Sequence, residues 1–348
     1  MSGMNEKAST AFWLKSLLYC LPLLIGTPMA QAQWLTGEEA IMGTAIRVEL
    51  WSEDKPAGEA AIAAVMAEMH RIDRQMSPYK PESELSRINR EAAEHPVPIS
   101  QEMFDILSRS IEFSKLSGGA FDITFSSVGY MYDYRRHIKP TDKEIEQALP
   151  GINYRHLLLD AQKRTVKFAR PGVRIDLGGI GKGHAVDNGI ALLKKRGITQ
   201  AIITAGGDSR VLGDKGGRPW MVGIRDPRRK DNMVAVIPLI NSAISTSGDY
   251  ERYFEADGVR YHHILNPKTG RSATGVHSVS VIGPDATTTD GLTKPVFILG
   301  PEKGLRLIES IPGVDAVIID ADGKMYYSSG LQNRQRELSK PAESTLTQ

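Results

Sequence analysis

Asp176-Leu177-Gly178-Gly179-Ile180-Gly181-Lys182-Gly183-His184 lies between an apolar stretch at 173–175 and a helical pattern that runs from about 184 to 195 and closes at Gly197. A glycine-rich loop between a strand and a helix can belong to a parallel nucleotide-binding sheet, but this one has neither required spacing. The glycine-to-lysine interval is not that of a P-loop, Gly183 stands where a hydroxyl residue would follow the lysine, and GxGxxG is not matched. Working outward, Ile46, Val48 and Leu50 alternate as a strand, and Ile62, Val65, Met66, Met69 and Ile72 recur at helical spacing after Pro56. Ser100 caps a second helix carrying Met103, Leu107 and Ile111, which ends at Gly118-Gly119. Short strands are predicted at 166–168, 173–175 and 201–204, then at 220–224, 234–240, 262–265, 276–282 and 316–319, the last entering a hairpin through Asp322-Gly323. Helices are predicted near 290–299 and 303–310. Strands in runs and helices in blocks give an α+β fold with mixed, largely antiparallel sheets and packed helices.

Composition limits the partners. The 348 residues carry 43 Lys+Arg against 41 Asp+Glu, a formal charge of +2 and a pI near 8.5. Such a balance supplies no broad basic face, which argues against nucleic acid as a partner.

The N-terminus reads as a leader. Lys7 and Lys15 precede the apolar run 16–25, and Ala30-Gln31-Ala32 follows as a small-x-small cleavage signal. Residues 1–32 are therefore expected to be a signal peptide cut after Ala32, giving a periplasmic protein of formal charge +1, since two lysines and one glutamate leave. Cys20, the sole cysteine, leaves with them; Tyr19 is too bulky for a lipoprotein cleavage box. The mature chain then has no thiolate for catalysis or metal binding. The fold is expected to occupy 33–330, with 331–348 a loose polar tail.

Chemistry-bearing residues gather in few places. In the glycine loop, open backbone, helix-start amides and Lys182 suit an anion, and a tight structural turn accounts for the same residues equally well. Ala205-Gly206-Gly207-Asp208 follows a buried strand as a turn able to admit a planar ring. His262-His263-Ile264-Leu265-Asn266-Pro267-Lys268-Thr269-Gly270 ends a strand in a polar turn, where His263 is a candidate base although a lone histidine is more often structural. Asp290, Thr293 and Lys294 share a helix face at i, i+3 and i+4, and Asp290 by itself reads as a helix-start acid.

Taken together and in this order, Met42-Gly43-Thr44, Met76-Ser77-Pro78-Tyr79, the segment 83–89, Gly119-Ala120-Phe121-Asp122, the loop 176–183, Ala205–Asp208, Thr246-Ser247-Gly248, the turn 263–270 and the stretch 290–300 resemble the FAD:protein FMN transferases, the ApbE family. The resemblance covers nearly the whole chain after the leader. It implies a T-fold-like architecture and an enzyme that cleaves FAD, releases AMP and attaches FMN through its phosphate to a Thr or Ser of an acceptor flavoprotein. The acceptor would be a subunit of a membrane or periplasmic redox complex, with the enzyme soluble in the periplasm or peripheral to the inner membrane. Met42, Tyr79, Ala120, Phe121, Asp122, Asp176, Lys182 and Ile264 match positions that hold FAD. Gly179, Asp290 and Thr293 match positions around Mg²⁺, and His263 matches the histidine proposed to assist the acceptor hydroxyl.

Such a reaction depends on positioning and on neutralising diphosphate charge, and an oxygen-only donor set suits Mg²⁺. Three positions depart from the pattern: Lys294 stands where a metal-site Thr is usual, Phe125-Ser126-Ser127 replaces a Gly-Pro turn, and Asn266 replaces Asp. An ammonium cannot ligate a cation, so Lys294 either points away or substitutes for part of the metal's charge. FAD hydrolysis to FMN and AMP, and FAD binding without catalysis, are the alternatives.

Overall fold

The computed structural model describes residues 32–229 and 231–338; the leader reading and Cys20 fall on residues outside it. Strands β1 (Gln33–Ile41) and β2 (Thr44–Ser52) form a hairpin joined by Met42 and Gly43, both at positive φ (55° and 72°), the combination a two-residue hairpin turn requires. Ile46, Val48 and Leu50 of β2 are wholly buried, as their alternation predicts.

The sheet continues through β3 (Ala201–Ala205), β4 (Asp208–Leu212), β5 (Ala243–Gly248), β6 (Val276–Gly283), β7 (Asp315–Asp320) and β8 (Met325–Tyr327). All neighbours are antiparallel, and the order of the eight strands across the sheet is their order in the chain. Helices α1 (Lys55–Met76), α2 (Glu84–Glu91), α3 (Gln101–Leu116) and α4 (Gly181–Lys195) are inserted between β2 and β3, and α5 (Ala286–Glu309) between β6 and β7. One sheet face packs against these helices in the main core. The other buries Val211, Ile244, Ile282 and Val317 beneath the hairpin Trp220–Arg225/Met233–Leu239. Burial on both faces explains why 276–282 reads as nearly continuous strand. The α+β, antiparallel reading holds.

Several boundaries differ from the sequence reading. Residues 173–175 join no ladder: the side-chain amide of Asn89 accepts from Ile175 N at 2.8 Å and donates to Ile175 O at 2.9 Å, standing in for a strand partner. The stretch 262–265 is split, because Ile264 N turns back to donate to His262 Nδ1 (3.3 Å). The two helices near 290–310 are one element interrupted at Gly300 (φ 76°), and it begins at Ala286 with Asp285 as cap. Helix α4 starts three residues before His184. Where a loose tail was expected from 331, the chain forms α6 (Ser329–Leu338), whose start is tied to β7 by Ser328, its hydroxyl donating to Asp315 at 2.6 Å.

Candidate active site

Helices α4 and α5 cross at Gly183. A Cβ there would lie 2.2 Å from Ala286 O and 2.8 Å from Asp290 Cβ, so only glycine permits the approach. Each helix then supplies the other with an N-terminal acid. Gly183 N donates to Asp290 Oδ2 (3.0 Å), while Ala286 N and Thr287 N donate to the carboxylate of Asp187 (2.8 Å each). Asp290 is thus a cap, as its sequence suggests, but for the neighbouring helix.

Four charged side chains meet at this crossing. Lys182 is ion-paired with Asp208 at the start of β4 and lies 3.9 Å from Asp290 Oδ1. Lys294 is ion-paired with Asp290 Oδ1 and donates to the Asp290 carbonyl at 3.2 Å. Burial pushes the Asp290 carboxyl up, but the ammoniums of Lys182 and Lys294 and the Gly183 amide outweigh it and hold the group below the usual carboxylate range. Asp208 moves the other way, raised by burial and by the Asp290 charge more than Lys182 and Lys294 lower it. Burial disfavours the Lys182 ammonium, yet Asp208 and Asp290 keep it protonated well above the ordinary lysine range.

Small residues and turns close around these charges. A Cβ on Gly179 would sit 3.3 Å from the Phe121 ring and 3.9 Å from Lys294 Cε, so the loop runs close beside the Lys294 side chain of α5. Gly206, whose N donates to Ala45 O (3.0 Å), packs on Thr44, so the Met42-Gly43-Thr44 turn adjoins the Ala205–Asp208 turn. Gly207 packs on the carbonyl of Thr246. Ser247 Oγ donates to Thr293 Oγ1 (2.8 Å), which donates to Asp290 O (2.8 Å). Gly179, Phe121, Lys182, Asp290, Thr293 and Lys294 are therefore together, with the Met42 turn alongside.

The remaining sequence-predicted residues occupy different stations. Tyr79 is 83% exposed in the loop between α1 and α2, within electrostatic reach of Asp176. Asp176 accepts from Gly178 N (2.6 Å), and burial raises its carboxyl. The Asp122 carboxylate is committed to the chain itself, accepting from Thr124 N (2.8 Å), Thr124 Oγ1 (2.5 Å) and Tyr154 N (2.7 Å), so its contribution at a ligand site is to shape the loop carrying Ala120 and Phe121. Ile264 is buried, and its carbonyl accepts from Ala273 N (2.9 Å). His262 is the structural histidine of the pair, its Nε2 against Ala273 O (2.8 Å). His263 has a buried Nδ1 with no hydrogen-bond partner among the described residues. Burial, with the charges of Arg252 and Lys294, pushes the His263 imidazole down to about 3, so it is neutral near pH 7.

Mg²⁺ does not fit this donor set as it stands. Both Asp290 oxygens are engaged, Oδ1 by an ammonium and Oδ2 by an amide, and the Thr293 hydroxyl donates inward. The second carboxylate, Asp208, is held by Lys182. A dication here would face two ammoniums, and each pair of like unit charges about 4 Å apart costs about 4 kcal/mol at an effective dielectric near 20.

The sequence profile of the ApbE family matches residues 42–318, the span that contains every element of this crossing. The chain belongs to the ApbE family. It is 33% identical to a protein named FAD:protein FMN transferase from Treponema pallidum, over 95% of this chain and 98% of that one. A protein of the same name from Vibrio cholerae is 32% identical over 92% and 98%. Among solved structures, the Thermotoga maritima ApbE protein superposes with a TM-score of 0.80 at 33% identity, over 86% of this chain and 99% of that one. The flavin transferase ApbE from Vibrio cholerae gives 0.78 at 28%, over 87% and 99%.

Within this ApbE-family site, sequence reasoning gave Asp208 no role beyond a turn acid and passed over Arg252. The exposed Arg252 guanidinium acts electrostatically on Tyr79, Asp176, Lys182 and His263, and its carbonyl accepts from His263 N (3.1 Å). An arginine two residues before a buried aromatic, Phe254, reads as an ordinary strand-edge residue; only the tertiary fold turns it toward the loop.

Proposed function

We propose that this protein transfers FMN from FAD to a Ser or Thr hydroxyl of an acceptor flavoprotein in the periplasm, releasing AMP. The observation that carries the reading is the convergence of Lys182, Lys294 and Asp290 beneath the glycine loop, which sets buried cationic charge where a diphosphate would lie. In the step itself, the acceptor oxygen bonds to the FMN phosphorus, and the bond from that phosphorus to the bridging oxygen breaks. AMP leaves with that oxygen, its phosphate needing no proton. The hydroxyl proton goes to the free Nδ1 of neutral His263. The diphosphate's negative charge opposes the Arg252 and Lys294 charges that lower the imidazole, so bound FAD strengthens this base. Tyr79, within electrostatic reach of Asp176, and the Met42 turn, beside the Ala205–Asp208 turn, would cover the adenine ring.

The periplasmic part of the proposal rests on the leader pattern of residues 1–32. The test incubates the purified protein with FAD and a recombinant periplasmic flavoprotein domain bearing a Ser/Thr acceptor segment. The acceptor is then run on a denaturing gel and viewed under ultraviolet light. Flavin fluorescence on the acceptor, lost on His263→Ala, supports transfer. Release of FMN and AMP with a dark acceptor replaces transfer by hydrolysis, and intact FAD leaves binding alone.

A further inference from the structure

We infer that the ammonium of Lys294 takes the place of a divalent cation in this chain, so that FAD is held and activated without Mg²⁺. The inference rests on the reading that the site takes the diphosphate of FAD. Its support is local. Lys294 contacts one carboxylate oxygen and one backbone carbonyl oxygen of Asp290, the two oxygen types that a hard cation would draw from this helix. Asp290 is 0% and Lys294 16% exposed, and the lysine stem lies between α5 and Gly179, so the charge is held inside the site.

The other ammonium of the crossing, Lys182, lies 3.9 Å from the same Asp290 oxygen and is paired with Asp208 instead. Thr293, the other oxygen donor on the face, receives the Ser247 hydroxyl and donates to the Asp290 carbonyl, and Asp208 is paired with Lys182. Lys294 is followed by Pro295, which lacks an N–H and so leaves the Gly291 carbonyl without its usual helical donor. Gly291 is pinned there by Phe113, whose ring a Cβ would approach to 2.6 Å, so the turn bearing Lys294 is fixed against α3. A side chain carrying a permanent positive charge on a fixed turn can oppose developing negative charge on a diphosphate with no ion to bind or lose.

The test measures FAD affinity of the unmodified protein by flavin fluorescence, once in excess EDTA and once in millimolar Mg²⁺, and titrates Mn²⁺ into the FAD complex by electron paramagnetic resonance. The expected result is one affinity in both buffers and no stoichiometric Mn²⁺ site. Lys294→Thr is expected to bind FAD about tenfold more weakly in EDTA, to recover in Mg²⁺, and to gain one Mn²⁺ site. An unmodified protein whose affinity rises about tenfold with Mg²⁺, or that binds one Mn²⁺ per chain, overturns the inference while leaving the functional reading intact. Failure to bind FAD in either buffer overturns both.

Discussion

At the residue scale, Asp290 is the group on which the site depends twice, as the partner of two ammoniums and as the cap of α4. Removing only its charge separates the roles. Asp290→Asn keeps an oxygen for Gly183 N and should lower transfer by about a hundredfold or more, the scale of losing a preorganised electrostatic contact. Asp290→Ala should in addition destabilise the fold, because it also leaves the buried Gly183 N–H without an acceptor, at a cost of about 1–3 kcal/mol. Equal thermal stability of the two variants would contradict the capping role. His263 makes a second prediction. Its folded-state value lies below that of an ordinary histidine, so the free enzyme keeps it neutral as the pH falls through the usual histidine range. A plot of kcat/KM against pH should show no acid limb between about pH 5 and 8. A limb near the ordinary histidine value of 6.5 would show that the imidazole is not shielded as described.

At the element scale, the α4–α5 crossing is what a sequence reading recovers least. The loop glycines announced a close approach, but not that the approaching group was another helix. The start of α5 was hidden because Ala286-Thr287-Thr288-Thr289 is rich in β-branched residues of modest helix propensity. Capping by Asp285 and by Asp187 from α4 overrides that preference. With that first turn hidden, Asp290 looked like a helix start although it sits in the second turn. Gly183→Ala tests the crossing: its methyl has no room beside Ala286 and Asp290, so the variant should lose FAD affinity and melt several degrees lower. Unchanged flavin binding with unchanged melting would mean that the helices do not meet as described.

At the scale of the whole molecule, the antiparallel sheet was legible in part: β2, β3, β6 and β7 fall on stretches read as strands, whereas β1, β4 and β5 were not read, because strands buried on both faces, like β4 and β5, lack the alternation that marks β2 and β3. The small departures, the unpaired 173–175 and the split 262–265, arise where a side chain, Asn89 or His262, takes the hydrogen bonds that a ladder would have used. The candidate site was legible as motifs, each weak singly, and became a site only through the sheet that gathers the Met42 and Ala205–Asp208 turns and the Thr246 stretch of β5 beside two helix starts. Contacts between residues tens of positions apart are not written in local periodicity, which is why Arg252 escaped notice and Asp208 was read as a turn acid.

The most direct measurement is a crystal structure of the protein soaked with FAD in metal-free buffer. The account predicts both diphosphate phosphates over the glycine loop, with the Lys182 and Lys294 nitrogens about 3 Å from their oxygens. A diphosphate bound away from the α4–α5 crossing, or FAD absent from the protein altogether, would contradict it.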